Sequence, residues 1–203
     1  PCDANAPLSA FVFKTVADPF VGKMSFFKVM NGTLKKDMTL TNRTNGTAEK
    51  FAHIYIIRGK KQTEVDEIVC GDIGMTAKLV NTNTNDTLGG SVEYKKIAFP
   101  TPYYGMALVP TAKGDEDKIA QSLAKMMTED RTLKVVNDSA NRQSLIYGMG
   151  DQHLDIVVSK LKERYKVDVE LSKPKVPFRE TLRKNSDVEG KHKKQSGGHG
   201  QYG

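Results

Sequence analysis

The stretch that decides the fold is LIYGMGDQHLD at residues 145–155. A short apolar run meets Gly148 and Gly150 and then changes to helical spacing, which predicts a strand, a tight turn and the start of a helix. Asp151 is a residue type that favours a helix N-cap. The apolar positions that follow share one helical face: Leu154, Val157, Val158, Leu161 and Tyr165. We therefore expect this face to pack against a core.

Two glycines at a helix start can also cradle a phosphate, because the free N–H groups and the positive end of the helix dipole point the same way. A dinucleotide-binding fingerprint needs a third glycine at position 153, where this chain has His153. The spacing favours glycines that serve turn geometry. His153 lies one position before the apolar stripe, so it either packs at the edge of the helix or faces a partner.

The segment around this stretch alternates strand and helix patterns. In order, we predict a strand over 105–109, a helix capped by Asp115 with its apolar stripe at Ile119, Leu123, Met126 and Met127, strands over 133–137 and 144–147, the helix described above, and a strand over 166–171. This β-α-β-β-α-β order is typical of the ferredoxin-like fold, in which two helices cover one face of an antiparallel sheet.

The residues before the Pro100–Pro102 linker form short β-rich runs separated by turn residues. The predicted strands cover residues 8–16, 23–30, 38–42, 51–57, 64–70, 74–80 and 92–99. Regular short spacing without a helical stripe indicates a β-barrel or a β-sandwich. We expect the phenylalanines of the first two strands (Phe11, Phe13, Phe26 and Phe27) to fill its interior.

The basic charge of the chain is concentrated at its end. Eight of the 31 Lys and Arg residues, but only three of the 24 Asp and Glu residues, lie from Lys173 onward. Lysines interleaved with glycines after Gly190 suit contacts with phosphates, which would make binding salt-dependent. A simply solvated basic strip is the alternative. Two acidic residues, Glu129 and Asp130, are predicted at a helix C-terminus, where negative charge is unfavourable. We expect them either to bind a cationic partner or to be solvated.

Several classes of protein and site are not indicated. The chain has no phosphate loop, zinc-protease helix, EF-hand or nucleophile elbow, so we predict no catalytic residue and no metal site. Cys2 and Cys70 lack zinc-ligand spacing and are expected to be plain thiols. No apolar run is long enough for a membrane span and no leader is visible, so we expect a cytoplasmic chain without a membrane partner. Because it begins at Pro1 and stops inside a Gly-rich pattern, we expect an excised fragment.

Motifs along the chain occur in the same order as in one protein family. They are PLSA (7–10), DPFVGK (18–23), GDI (71–73), DTL (86–88), GMGDQHLD (148–155), RET (179–181) and KQSGGHGQYG (194–203). Together they resemble bacterial translation elongation factor G over nearly the whole chain.

The resemblance implies a multidomain α+β chain. Residues 1–98 would be a translation-factor β-barrel, residues 99–174 the ferredoxin-like domain, and residues 175–203 the truncated start of a third α+β domain. The GTPase domain that holds GTP and Mg²⁺ in this family would be absent, so the resemblance implies no cofactor bound by this chain and no GTP hydrolysis of its own.

The resemblance also implies partners. The barrel would dock on ribosomal RNA, and the second domain would sit between a small-subunit ribosomal protein and its own GTPase domain, coupling nucleotide state to the translocation of tRNA and mRNA. The GTPase-domain interface would comprise Gly148, Gly150, Asp151, His153, Asp155, Glu129 and Asp130. The ribosome- and RNA-binding residues would comprise Arg179, Arg183, Lys191, Lys193, Lys194, His199 and Gln201.

The sequence departs from the usual family pattern in places. Asp151-Gln152 stands where Glu-Leu is usual, Arg131 where proline is usual, and His199 where arginine is usual, which indicates a divergent paralogue. The parent could be the housekeeping translocase, a ribosome-recycling form or a ribosomal-protection protein that evicts an antibiotic. A remote alternative is an acylphosphatase-like hydrolase that binds an anion at Lys113, in the turn 111–114.

Overall fold

The first domain of the chain is a β-barrel. A computed structural model describes residues 2–18, 20–185, 187–192 and 201–202. The first ten strands are β1 (Ser9–Asp18), β2 (Gly22–Asn31), β3 (Thr33–Lys35), β4 (Thr39–Thr41), β5 (Ala48–Lys50), β6 (Ile54–Arg58), β7 (Lys61–Val65), β8 (Glu67–Val69), β9 (Ile73–Ala77) and β10 (Thr87–Gly89). Six of them form an antiparallel sheet in the order β10-β1-β2-β9-β6-β7, while β3 pairs with β8 and β4 with β5.

One apolar core joins these sheets. It includes Val12 from β1, Phe27 from β2 and Ile54 from β6, all fully buried. A bridge between Asn42 and Leu88 links the β4–β5 pair to β10. The predicted barrel is confirmed, but only Phe27 of the four phenylalanines is fully buried. Ala10 and Val12 take the inward positions of β1, so the period-2 alternation of a strand leaves Phe11 and Phe13 half-buried on its other face.

The strand predicted over residues 92–99 is wrong. The backbone of this run is held by side chains of residues 85–87 and not by the backbone of a neighbouring strand. Tyr94 N–H donates to Thr87 Oγ1 (2.9 Å), and Ile97 N–H donates to Asn85 Oδ1 (2.9 Å). Three further strands, β3, β5 and β10, each of three residues, fall outside the predicted runs. A strand this short does not establish a period-2 pattern.

The second domain has the predicted ferredoxin-like fold. Its elements are β11 (Tyr104–Pro110), α1 (Glu116–Glu129), β12 (Lys134–Asp138), β13 (Gln143–Gly148), α2 (Asp151–Tyr165) and β14 (Val169–Ser172). The antiparallel sheet has the order β12-β13-β11-β14. The predicted stripes of both helices enter one core, in which Leu123 of α1 and Leu154 and Leu161 of α2 are buried. Asp115 is the N-cap position of α1, but its side chain makes no capping hydrogen bond.

The end of the chain contains little regular structure among the residues described. Residues 173–185 and 187–190 form neither helix nor strand. The pair β15 (Lys191–His192) and β16 (Gln201–Tyr202) is antiparallel. Neither α1 nor α2, the helices of the described residues, combines the length and the apolar character needed to cross a bilayer.

Candidate interface at the domain boundary

The turn before α2 differs from the sequence-based prediction in which residue caps the helix. Gly148 ends β13, and a Cβ on it would lie 2.7 Å from Leu154 Cδ2 and 2.9 Å from His153 Nδ1. Gly150 is the N-cap with an extended backbone (φ 170°), and Asp151 is the first helical residue. Gly148 is therefore required because the first turn of α2 packs against the end of the strand, and Asp151 acts through the helix dipole and not as the cap.

The imidazole of His153 is held at both nitrogens. Nδ1 accepts the Met149 N–H (3.0 Å), and Nε2 lies 2.9 Å from Asp130 Oδ2. Because Nδ1 is an acceptor, the neutral tautomer carries its proton on Nε2 and donates it to Asp130. The side chain is 19% exposed. His153 thus connects the start of α2 to the end of α1, and its ring nitrogens are engaged within the chain.

The carboxyl of Asp130 is stabilised as a carboxylate. Burial acts to raise its pKa, but hydrogen bonds from the Thr132 hydroxyl and N–H, together with His153, outweigh burial and hold the pKa below its ordinary value. The Thr132 hydroxyl donates to Asp130 Oδ1 at 2.6 Å. The negative charge therefore persists in a half-buried position.

The neighbouring Glu129 joins the two domains. Its Oε1 accepts the backbone N–H of Ala17 in β1 (2.6 Å), and both of its carboxylate oxygens lie 3.2 Å from Arg164 Nη1 in α2. β1 pairs with β10 only over Ser9–Phe11, so Ala17 lies on a part of the strand edge that β10 does not reach. Glu129 supplies the acceptor that this edge N–H lacks.

We call Glu129 and Asp130 the acidic pair. Eleven positions separate His153 from Arg164, which is about three helical turns and roughly 16 Å along α2. The two side chains therefore lie on the same side of α2, and the acidic pair holds one at each end. The alternative of a solvated acidic pair is wrong: both carboxylates bind partners within the chain.

An open cavity of about 360 Å³ adjoins the acidic pair. Asp130 and Arg131 line one side of it, and His153, Ile156 and Lys160 of α2 line the other. Ile156 is 54% exposed. The predicted interface residues Asp151 and Asp155 are exposed on the same helix. This surface combines an exposed apolar side chain with charges of both signs.

The start of α2 does not fit a nucleotide phosphate. The Met149 N–H already donates to His153, and Asp151 places a negative charge in the first turn. Within the described residues, no group of three His, Cys, Asp or Glu side chains could hold a metal ion. In the turn 111–114, the carboxylate of Glu116 already accepts the Gly114 N–H (2.9 Å), so this donor is not available to an external anion.

The predicted RNA-binding residues lie apart from the acidic pair in the sequence. Arg179 and Arg183 are exposed on an irregular segment, and Lys191 lies in β15 opposite Tyr202. Of Gln201 the backbone alone is described, in β16. Lys193, Lys194 and His199 lie outside the described residues.

Three participants in this interface were not among the predicted site residues: Ala17, Thr132 and Arg164. Arg164 could have been predicted, because it lies three helical turns after His153 and therefore on the same side of α2. Ala17 carried none, since its contribution is a backbone N–H and its partner Glu129 is 112 positions away.

Two family descriptions match the chain. "Elongation factor G domain 2" matches residues 7–91, and "Elongation Factor G, domain III" matches residues 99–173. A chain in a crystal structure from Thermus thermophilus is 33% identical, with a TM-score of 0.81. That similarity covers 98% of this chain and 30% of the Thermus chain, so the present chain spans less than a third of its relative.

Proposed function

Since this chain belongs to the elongation factor G family, we propose that it is the ribosome-docking and conformation-coupling part of a translational GTPase that moves tRNA and mRNA. In this proposal residues 1–98, 99–174 and 175–203 act as three successive domains of a cytoplasmic factor. GTP and Mg²⁺ are held by a GTPase domain outside these residues. The chain itself has no catalytic residue and hydrolyses no GTP.

The observation that carries the proposal is the acidic pair. Glu129 binds the barrel at Ala17 and the end of α2 at Arg164, while Asp130 binds the start of α2 at His153. A force applied to the exposed side of α2 therefore reaches the barrel through side chains in direct contact. Such a connection suits a domain that passes on a hinge-type movement.

In this proposal the GTPase domain contacts the start of α2. Asp151 and Asp155 supply exposed charge there, and the cavity beside His153 supplies a concave surface. Gly148 and Gly150 act indirectly, because they set how α2 begins. His153 and the acidic pair position this surface, since their polar atoms are engaged within the chain.

The ribosome is the proposed partner of the barrel and of the basic end of the chain, through ribosomal RNA and a small-subunit ribosomal protein. Each Lys or Arg that neutralises an RNA phosphate releases a counterion. Binding to ribosomes in a pelleting assay should therefore weaken steeply with salt. Replacing Lys191, Lys193 and Lys194 by glutamine should flatten the log–log salt slope, whereas an unchanged slope would remove these residues from the contact.

A chimaera tests the proposal directly. This chain replaces the matching segment of a bacterial elongation factor G, and ribosome-stimulated GTP hydrolysis and translocation are measured together. We expect both activities in the chimaera, and no GTP hydrolysis by the chain alone. Hydrolysis by the isolated chain would refute the assignment of GTP to another domain.

The same chimaera separates the paralogues. Hydrolysis without translocation, combined with splitting of ribosomes, would indicate a recycling factor. Rescue of translation from a ribosome-targeting antibiotic would indicate a protection protein. The acylphosphatase-like alternative requires an anion at Lys113, and it is disfavoured because the carboxylate of Glu116 already accepts the Gly114 N–H in that turn.

A further inference from the structure

The two cysteines of the chain meet on the barrel although they are far apart in sequence. Both are free thiols; Cys2 is exposed and Cys70 is half-buried. The Cys2 thiol is near enough to the Cys70 thiol to raise its pKa. A Cβ built on Gly71, the residue after Cys70, would lie 3.9 Å from Cys2 Sγ. Cys2 Sγ therefore lies beside the Cys70–Gly71 backbone in the reduced protein.

Gly32 holds the backbone beside both cysteines. Its N–H donates to Asp3 O (2.8 Å), and its own carbonyl accepts the Cys70 N–H (3.0 Å). Gly32 has a φ of +75°, and a Cβ on it would lie 2.6 Å from Leu8 Cα. Only glycine therefore permits the segment that follows Cys2 to lie this close. The juxtaposition of the thiols is built into the backbone of the barrel.

We propose that Cys2 and Cys70 are a reversible oxidation site that forms an intrachain disulfide on reaction with a low-molecular-weight disulfide such as oxidised glutathione. The Cys2 thiolate attacks one sulfur of the reagent, breaks its S–S bond and releases one thiolate. The Cys70 thiolate then attacks the Cys2 sulfur of the mixed disulfide and releases the second. The two cysteines lose two protons and two electrons, and one reagent disulfide becomes two thiols.

The order of attack follows from the environments of the two thiols. Cys2 is exposed to a reagent in solvent. Burial raises the pKa of Cys70, and so does the adjacent Cys2 thiol. Cys70 is therefore a poor target for an external reagent but is positioned to resolve an adduct on its neighbour.

The disulfide ties the segment before β1 to the end of β8. The loop that it closes, from residue 2 to residue 70, contains most of the barrel. Closing so long a loop restricts the unfolded chain, so the oxidised protein should melt several degrees above the reduced protein. The inference does not depend on the proposed function, because it concerns the barrel alone.

The test uses the whole 203-residue chain at low micromolar concentration with oxidised glutathione. We expect both thiols to disappear, the intact mass to fall by two hydrogen atoms, and the tryptic peptides 1–14 and 62–78 to be joined. Dithiothreitol should restore both thiols. The Cys70→Ser variant should instead accumulate a glutathione adduct on Cys2, because no resolving thiol remains, and the Cys2→Ser variant should retain its Cys70 thiol.

Three results would overturn the inference. The first is a stable glutathione adduct on Cys2 in the wild-type chain with Cys70 still reduced. The second is a disulfide found only between chains, as a covalent dimer on a non-reducing gel. The third is equal accumulation of the adduct in the wild type and in Cys70→Ser, which would show that Cys70 does not resolve it.

Discussion

The barrel interior and the domain boundary both bury carboxylates, but they bind them with different donors. In the barrel, Asp86 is 7% exposed and accepts only uncharged donors, Asn42 Nδ2 and Asn83 N–H, both at 2.8 Å. At the boundary, Glu129 accepts from an arginine and Asp130 from a histidine. The first arrangement fixes one segment of the barrel. In the second, both charged donors belong to α2 of the second domain, and Glu129 reaches the barrel through the Ala17 N–H.

The difference indicates which carboxylates maintain the fold and which maintain the contact between domains. When a buried carboxylate is removed, the uncharged donors buried with it lose their acceptor and have no other partner, which destabilises the fold. An arginine near the surface can turn to water, so its loss of a partner is less severe. We therefore expect the barrel carboxylates to dominate stability and Glu129 to dominate the coupling of the two domains.

The largest expected effect is that of Asp86→Ala. The substitution leaves the buried Asn42 amide and the Asn83 N–H without their acceptor, and it should lower the free energy of unfolding of the barrel by about 2–4 kcal/mol. Urea unfolding measures this value. Asp66→Ala, at an exposed position between β7 and β8, is the matched control and should change stability little. Equal losses in the two variants would contradict the comparison.

The next effect is that of Glu129 on coupling. Glu129→Ala removes the acceptor of Ala17 N–H and leaves Arg164 unpaired, at a cost of about 1–3 kcal/mol. Hydrogen exchange at the Ala17 amide should accelerate, and calorimetry should separate the melting of the barrel from that of the second domain.

Glu129→Gln is the informative companion, because it retains an acceptor oxygen while removing the charge. It should preserve most of the protection at Ala17 while weakening the contact with Arg164. If Glu129→Gln and Glu129→Ala accelerate exchange at Ala17 equally, the hydrogen bond to the barrel depends on the ion pair with Arg164. That result would contradict the expectation that the two contacts are independent.

A smaller effect should appear as a pH dependence of Asp130. A carboxyl whose pKa is lowered in the folded chain stabilises it above the unfolded value, near pH 4, and loses that contribution as the pH falls through the folded value. The stability difference between wild type and Asp130→Asn should therefore shrink as the pH falls below about 4. A difference that grows on acidification would show that the direction of the pKa shift is wrong.

The second domain was predictable from sequence because its elements are long and amphipathic. Ile119, Leu123 and Met126 recur at helical spacing over several turns, and all three are buried. The barrel was predictable as a class, but its segment 80–90 was not. That segment is fixed by hydrogen bonds between distant side chains, such as Thr15 Oγ1 to Thr84 Oγ1, which leave no periodic pattern.

The candidate interface was predictable only in part. The residue types at Glu129, Asp130 and His153 signalled a polar contact, and all three take part in one. Which groups meet could not be predicted, because Glu129 binds a residue 35 positions later and another 112 positions earlier. The first pairing arises from the packing of α1 against α2 and the second from the packing of the two domains, and neither follows from a local property of the sequence.

The smallest expected effect is that of Glu64→Gln on the barrel surface. Glu64 Oε1 lies 2.8 Å from His53 Nδ1, close to the 2.9 Å that separates Asp130 from His153. The hydrogen bond to His53, and then that to Lys36, hold the pKa of Glu64 below its ordinary value. Glu64 and His53 are exposed and Lys36 is half-buried. Ion pairs at such a surface contribute little, so the substitution should change Tm by no more than about 1 °C. The two histidine–carboxylate distances are nearly equal, so the two pairs differ mainly in burial. A loss of stability in Glu64→Gln as large as that in Asp130→Asn would show that burial does not distinguish the domain boundary from the surface.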